Sequence, residues 1–542
     1  MARLSLALYL LVLGLPAYLP SLLSQDLIAI LQRHAYAEIA VSRLLERVTH
    51  HEVTIDETVG ALESASTGTQ RAQAACYIVS TVFPGKVLAD DDPDYEDEFQ
   101  FNWSKTCWLR PACIFRPSDA VEVAVFQKVI KLTASRFAIR GGGHNPNPGF
   151  GSVDSSGVLV DMKGFGTLKV EGDRSLQVGA GQTWESVYDF IERDGKSVIG
   201  GRHGTVGVGG FLLGGGMPFF GGLYGLAADN VKNFQVGLYL SFGKIVTSDS
   251  RIVNANPSEH QDLFRALKGG GANFETHPLI QAQYAVYAYY AADYEYLLNA
   301  TVNVQKAMEY DSKIGFFLNV QPTAIVAGLL YAEHTAQPPE VFTEFFKADS
   351  LIAAVVPTTN GTIRTLVPEL DTVGQDAGPA SRALSAQSTR VDYELYLDVH
   401  RQYTERLRDS RLATPSATLS YTIQPVSSYM VRAGRERGGN AMGLDEIAQT
   451  WWACLIEWYN EADTATSHTN VGLFGDNIAS LAASGREGNL LLPFQFMNDA
   501  GARQEVLRSY GETNLTALRK VAGTYDKTGT FQRLQHAGFL LR

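Results

Sequence analysis

Arg140-Gly141-Gly142-Gly143-His144-Asn145 sets a histidine directly after three glycines, and Val206-Gly207-Val208-Gly209-Gly210 and Gly214-Gly215-Gly216 repeat the glycine enrichment further along. Glycine lets backbone N–H groups reach phosphate oxygens where a Cβ would collide. The apolar run Phe137-Ala138-Ile139 reads as a strand delivering the first loop, so this spacing offers a diphosphate cradle with a histidine at its rim. No Gly-Lys-Ser/Thr follows, which excludes the Walker loop, and the spacing is not a G-x-G-x-x-G opening a helix after a strand. Gly207, Gly209 and Gly210 are expected to let backbone approach a cofactor, with tight turn packing as the alternative use of such residues.

The elements that must hold these loops are legible as periodicity. Residues 25 to 75 read as helical, and 89 to 99 form an acidic, solvated segment. Asp119 and Glu122 are expected to cap a helix whose apolar stripe is Val121, Val125, Val129 and Leu132. Strand-like runs at Val158 to Val160, Leu176 to Val178 and Phe234 to Leu238 alternate with a helix-like run from Trp184 to Arg193. A second capping box is expected at Ser258-Glu259-His260-Gln261, before DLFRALK and Gly269 to Gly271. Residues 280 to 490 lack glycine loops and mix aromatic-rich strands, Leu419 to Gln424 and Thr450 to Ala453, with amphipathic helices.

The ordered motifs LRPACI from Leu109, IRGGGHNPNPGFGS, TVGVGGFLLGGGMPFFGGLYGLAADNV, NANPSEHQDLFRALKGGGANF, FMNDA at 496–500 and YDKTGTFQRLQHAGF at 525–539 resemble the berberine bridge enzyme-like flavoproteins. The flavin domain of that family is of the p-cresol methylhydroxylase or vanillyl-alcohol oxidase type. The resemblance implies an α+β fold with a two-part flavin domain and an inserted antiparallel-sheet substrate domain. The expected divisions are a signal peptide at 1–24, an N-terminal helical segment at 25–108, the FAD-binding domain at 109–279, the substrate domain at 280–490 and a return to the flavin domain at 491–542. It implies FAD bonded through its 8α carbon to His144, a link that raises the flavin's oxidising power. Flavin contacts are expected from Arg140, Gly141, Gly142, Gly143, His144, Asn145, Ser152, Gly207, Val208, Gly209, Gly210 and Asn498. Many relatives add a bond from a cysteine where this chain has His203, so one attachment is expected.

Phe496 lacks the hydroxyl that a tyrosine would bring to the closing motif, which rules it out as a proton-handling group. Tyr421 and Gln424 on one strand face, with Glu457 and Tyr459 on another, are the candidates for catalysis, because alternation can turn strand residues toward the flavin. Aromatics in such strands also serve as core. The reaction implied is hydride transfer from a small organic substrate to flavin N5 with reoxidation by oxygen, in natural-product metabolism; a carbohydrate oxidase making a lactone is the alternative. YLSFGKIVTSD at 239–249 and ETHPLIQAQ at 275–283 depart from the family pattern, and they raise the further alternative of a flavin-binding but inactive remnant.

A chain of 542 residues, 45% hydrophobic, can bury a sizeable core, and a net charge of −12 argues against nucleic-acid or anionic-membrane partners. A small-molecule substrate is expected. Met1-Ala2-Arg3 and LSLALYLLVLGL have the form of a secretory signal peptide, interrupted by Pro16 and Pro20 before the roughly 20 apolar residues of a membrane span. Export makes Asn102, Asn299, Asn360 and Asn514 candidate glycosylation sites. The resembling family carries a bridge where Cys76 and Cys113 stand, and two buried thiols are the alternative there; Cys107 and Cys454 are read as free. No His/Cys/carboxylate cluster has metal-ligand spacing.

Overall fold

The computed structural model describes residues 66–172, 175–234, 245–248, 250, 252–268, 272–372, 378–413, 416–485 and 488–541. The expected signal peptide, residues 25–65 of the expected N-terminal helical segment and Gly269 to Gly271 lie outside the described residues, as does most of the 239–249 departure.

The first glycine loop leaves a four-stranded sheet in the spatial order Val87–Leu88, Cys113–Phe115, Gly157–Asp161, Arg136–Arg140. Gly157–Asp161 runs parallel to both neighbours and is buried at all five positions, as a strand covered on both faces should be. Helices Gly68–Val82 and Ala120–Thr133 cover one face, packing Ile78, Val79, Val125 and Val129 on Phe137, Val158 and Val160. The Cys76–Cys113 disulfide ties the first helix to this sheet, and Cys107 and Cys454 are free and buried. Asp119 caps Ala120–Thr133 as expected, accepting from the N–H groups of Val121 and Glu122, but Glu122 does not complete a capping box. Its carboxylate instead accepts from Ser118 N at 2.8 Å and from Lys86.

A second antiparallel sheet runs Leu168–Glu171, Ser175–Val178, Ala272–Glu275, Val231–Phe234. The 275–283 departure is thus built into the fold: Ala272–Glu275 is an inner strand, and His277–Pro278 pairs with Lys196–Ser197. Helix Gln261–Leu267 begins at His260 with φ +49°, and Asn256 rather than Ser258 gathers the N–H groups of Ser258 and Glu259.

A large sheet, drawn mainly from residues 280–490, has eight strands among the described residues, in the order Leu351–Thr362, Gln281–Tyr290, Ala324–Tyr331, Ile314–Val320, Thr418–Val426, Gln449–Trp458, Ser381–Arg390, Leu491–Leu492. Every pairing is antiparallel. Strand alternation divides its side chains. Leu419, Tyr421, Ile423, Trp452, Cys454 and Ile456 join a core with helices Tyr294–Ala307 and Thr464–Ala483. Val426 and Trp451 point the other way, to Met217, Met430 and Phe496.

The chain's end returns to the first sheet. His536 N donates to Phe137 O at 2.7 Å, Phe531 meets Phe137 edge-on, and Phe539 does the same to Phe150. Among the described residues no helix is long and apolar enough to cross a membrane.

Candidate functional site

Two glycine loops meet where the flavin domain faces the large sheet. A Cβ on Gly142 would lie 2.3 Å from Gly207 N, and one on Gly207 2.2 Å from Gly142 N. These glycines are required by each other, so Gly207 serves the tight packing named as the alternative. Gly210 differs: a Cβ there would meet nothing within 4 Å, and Gly209 makes only ordinary contacts. The half-exposed run Gly141 to His144 and the rim at Gly209 and Gly210 therefore form a cradle without side chains. That surface fits a flat, phosphate-bearing cofactor.

Val208 is buried and its N–H donates to Gln182 O, so it anchors the loop from behind. Arg140, expected at the cofactor, is turned inward and 1% exposed, bonded to Glu98 O at 2.5 Å, Glu98 Oε2 at 3.1 Å and Asp161 Oδ2 at 3.0 Å. A buried guanidinium needs such partners, and this one fixes the end of the strand that launches the loop. Asn145 accepts from Asn147 N at 2.9 Å, and Ser152 Oγ accepts from Gly149 N at 3.1 Å. Asn498 accepts from Gly216 N at 3.0 Å and donates to Gly210 O at 3.4 Å, which ties the second glycine loop to the third.

His144 is half-buried and stacks on Trp103, ring centroids 4.5 Å apart at 13°. Arg382 lies over the same indole at 4.3 Å and is held by Glu457 at 2.6 Å. Desolvation, with repulsion from His203 and Arg382, pushes the His144 pKa down to about 3, and Asp371 pulls weakly the other way. The imidazole is neutral at every physiological pH, the state in which a ring nitrogen is a nucleophile. His203 is exposed, its Nδ1 3.0 Å from Asp371 Oδ1, and Asp371 also accepts from Gly204 N.

Tyr421 and Gln424, two of the four candidates and expected on one strand face, lie on opposite faces. Their separation of three places them on opposite faces of a strand with period two. Tyr421 is fully buried in the helix-covered core, where its hydroxyl lies 3.0 Å from His400 Nδ1 and its ring packs on Tyr403, Trp452 and Phe474. Burial raises its pKa well above the ordinary value. Tyr421 is a core residue and not a base at the site.

Gln424 faces the flavin domain. Its Oε1 accepts from Arg202, and its Nε2 donates to Asp499 Oδ2 at 2.6 Å. Burial lowers the pKa of Arg202 and raises that of Asp499, each opposed by the other's charge. Gln424 is an amide clamp between two half-buried charges. Sequence reading missed Arg202, Asp499 and Trp103. Arg202 adjoins the singled-out His203, but its partners lie 222 residues away at Gln424 and, through it, at Asp499.

Asn102 was expected as a glycan site, but it is 4% exposed and its Nδ2 donates to Cys107 O at 3.0 Å. It instead shapes the loop: Gly143, at φ +68°, would place a Cβ 2.7 Å from Asn102 Oδ1.

A two-loop glycine cradle with a neutral histidine at its rim, facing an antiparallel sheet, defines a flavin-binding oxidoreductase. Comparison with known proteins gives the same class. Residues 111–249 match the FAD binding domain family. The FAD-dependent monooxygenase yanF of Aspergillus niger is 32% identical over 495 residues, covering 88% of this chain and 82% of that protein. BBE-like 1 of Physcomitrella patens superposes with a TM-score of 0.67 at 15% identity, covering 86% and 99% of the two chains. The glucooligosaccharide oxidase of Acremonium strictum, described with a 6-S-cysteinyl, 8α-N1-histidyl FAD, gives 0.66 at 14%, covering 84% and 97%. The chain belongs to the family of FAD-dependent oxidoreductases that includes yanF, and its fold is that of the berberine bridge enzyme-like flavoproteins.

Proposed function

We propose that this FAD-dependent oxidoreductase is an oxidase of a small organic molecule, with its flavin bonded covalently to His144. The observation that carries the reading is the neutral, Trp103-stacked imidazole of His144 at the rim of the two apposed glycine loops. FAD, when bound, supplies a hydride acceptor at N5 and passes the electrons to oxygen, giving peroxide. Gly141 to Gly143, Gly209 and Gly210 offer the bare backbone for it, the Gly142–Gly207 contact holds the first two loops together, and Asn498 ties the second to the third. Trp103 fixes the plane of the His144 ring, and the charge of Arg382 disfavours the imidazolium that could not attack a carbon centre. His203 standing where many relatives have a cysteine supports a single attachment.

Acid precipitation tests the linkage: the yellow colour stays with wild-type protein and is absent from precipitated His144→Ala. Flavin released into the acid supernatant of the wild type overturns the bond. Anaerobic substrate then bleaches the visible band without nicotinamide, and air restores it. A requirement for NADPH overturns the oxidase reading.

The same reading includes export through residues 1–24, supported by the disulfide, a bond that persists in oxidising compartments. Asn299 and Asn360 are exposed and suited to glycans.

A further inference from the structure

Among the described residues no hydrogen bond from another residue holds the imidazole of His144, so its flat contact with Trp103 sets its plane. What sets Trp103 comes from the other half of the molecule. Arg382 and Glu457 stand directly opposite each other on neighbouring strands of the large sheet, Ser381–Arg390 and Gln449–Trp458. Glu457 accepts from Arg382 Nε at 2.6 Å, and the guanidinium held in this way lies 4.3 Å over the indole. Three planar groups, imidazole, indole and guanidinium, are therefore joined through Trp103, with a carboxylate at the far end.

The backbone strengthens the link. Trp103 N donates to Gly143 O at 3.0 Å, beside His144, and Lys105 N donates to Ala380 O at 2.9 Å, at the start of the sheet strand. Arg382 N donates to Ser104 Oγ at 2.8 Å, and its Nη1 donates to Trp103 O. Trp103 to Lys105 form a strap from the first glycine loop to the large sheet. Ser104 and Arg382 are 278 residues apart, so the strap is complete only when the sheet has docked.

Attachment of flavin replaces one C–H bond of its 8α methyl by a C–N bond to the imidazole, which gives up its N–H proton. The two electrons and the protons go to the flavin ring, and oxygen restores it with release of peroxide. The chain's part in this step is orientation, because a ring nitrogen must be aimed at one carbon. A ring free to turn meets that demand rarely, and a ring stacked on a fixed indole meets it in one plane.

We propose that Arg382 and Glu457 are positioning residues for this attachment, acting through Trp103, so that His144 forms its bond only after the large sheet has docked on the first glycine loop. The inference rests on the reading of a covalently held flavin and adds the residues that govern its formation. Glu457, a sequence candidate for catalysis, is committed to Arg382 and serves the cofactor. Neither residue belongs to the glycine cradle, so their removal spares non-covalent binding.

The test measures total flavin, and the share that stays with acid-precipitated protein, on freshly purified protein and with time in air. Wild type holds all of its flavin against acid. Trp103→Leu and Arg382→Met carry total flavin close to wild type, yet most of it leaves in acid, and attachment runs about a hundredfold slower, the scale of a lost orientation. Trp103→Phe keeps a ring against the imidazole and attaches within about threefold of wild type. Glu457→Gln keeps its shape, removes the charge that holds Arg382, and falls between these. Full acid stability in Trp103→Leu or Arg382→Met overturns the inference and leaves the His144 bond standing. Equal impairment of Trp103→Leu and Trp103→Phe overturns it as well, since the contact is then not one of stacked rings. Total flavin lost in step with the acid-stable share assigns the stack to binding and overturns it too. Glu457→Gln alters almost no volume, so it decides the case where a larger change costs the fold, and wild-type attachment there removes the large sheet from the process. Flavin released by acid from the wild type is a separate pattern, which sinks the bond and this inference together.

Discussion

Gly142 and Gly207 touch through their backbones, each occupying the space the other's Cβ would need. The contact joins two loops far apart in sequence, and no side chain can be accommodated on either without moving a chain. Gly142→Ala or Gly207→Ala should destabilise the protein by about 3 kcal/mol, the upper range for overpacking, and lower the fraction of the protein that acquires flavin. Gly210→Ala should behave oppositely in the cofactor-free protein. The residue lies inside helix Val208–Leu213 with open space beside it, so alanine gains up to about 1 kcal/mol. Its methyl then stands in the cradle and lowers flavin content. Melting temperature and flavin-to-protein ratio, measured together, check both halves.

Stability should fall as pH drops below 6.5. Burial pushes His400 and His277 down to about 4 from their ordinary 6.5. Between those values the unfolded chain holds protons that the folded chain refuses, so the stabilisation is complete above pH 6.5 and drains as pH falls toward 4. Each such proton contributes a slope of up to about 1.4 kcal/mol per pH unit. His400→Gln should flatten the profile by one proton in chemical melts from pH 7 to 4.5. An unchanged slope would show that His400 charges freely in the fold.

Tyr421→Phe should leave the rate of anaerobic flavin bleaching within about twofold, because its hydroxyl faces His400 on the far side of the sheet. The loss should appear in stability, about 1 to 2 kcal/mol for the broken hydrogen bond and the unpaired imidazole. Stopped-flow reduction and thermal melts on the same preparation decide it, and a large drop in rate would return Tyr421 to the chemistry.

That residue marks the boundary of what local pattern can tell. The strand from Thr418 was legible in its alternation, as were the first glycine loop and helix Ala120–Thr133, because each is specified by residues within one element. Which strand face meets the flavin is decided by helices packed over Tyr421 from elsewhere in the chain. The roles of Arg140 and Gln424 were hidden for the same reason, since their partners at Asp161, Asp499 and Arg202 are set by tertiary approach. The capping box expected at Ser258 did not form: the helix starts later, at Gln261, and Asn256 gathers the N–H groups of Ser258 and Glu259 in the turn before it.

Removing the Cys76–Cys113 bridge should cost about 4 kcal/mol by the chain-entropy estimate for its separation of 37 residues. The bridge holds helix Gly68–Val82 against the sheet that ends in the first glycine loop, so the Cys76→Ala/Cys113→Ala protein should also carry less flavin. Denaturant melts and absorbance quantify the two effects, and equal stability with and without the bridge would contradict the estimate.

Under the proposed export, glycans should follow exposure and not sequon count. Asn299 stands exposed on helix Tyr294–Ala307, and Asn360 is exposed on strand Leu351–Thr362, where its Nδ2 must let go of Thr335 O, at 3.0 Å, to take a sugar. Asn102 is sealed under Gly143 with its amide bonded to Cys107 O. Asn514 is half-buried, its Nδ2 bonded to Tyr510 O and so close to Gly443 that a Cβ there would lie 2.7 Å away. Peptide mapping before and after glycosidase treatment should find sugar at Asn299 and Asn360 and none at Asn102 or Asn514. Asn102→Gln should leave the mass of the attached sugar unchanged while loosening the loop that carries His144, seen as lower flavin content. A glycan on Asn102 would mean that the chain is modified before this loop closes, and that the buried amide is not its final state.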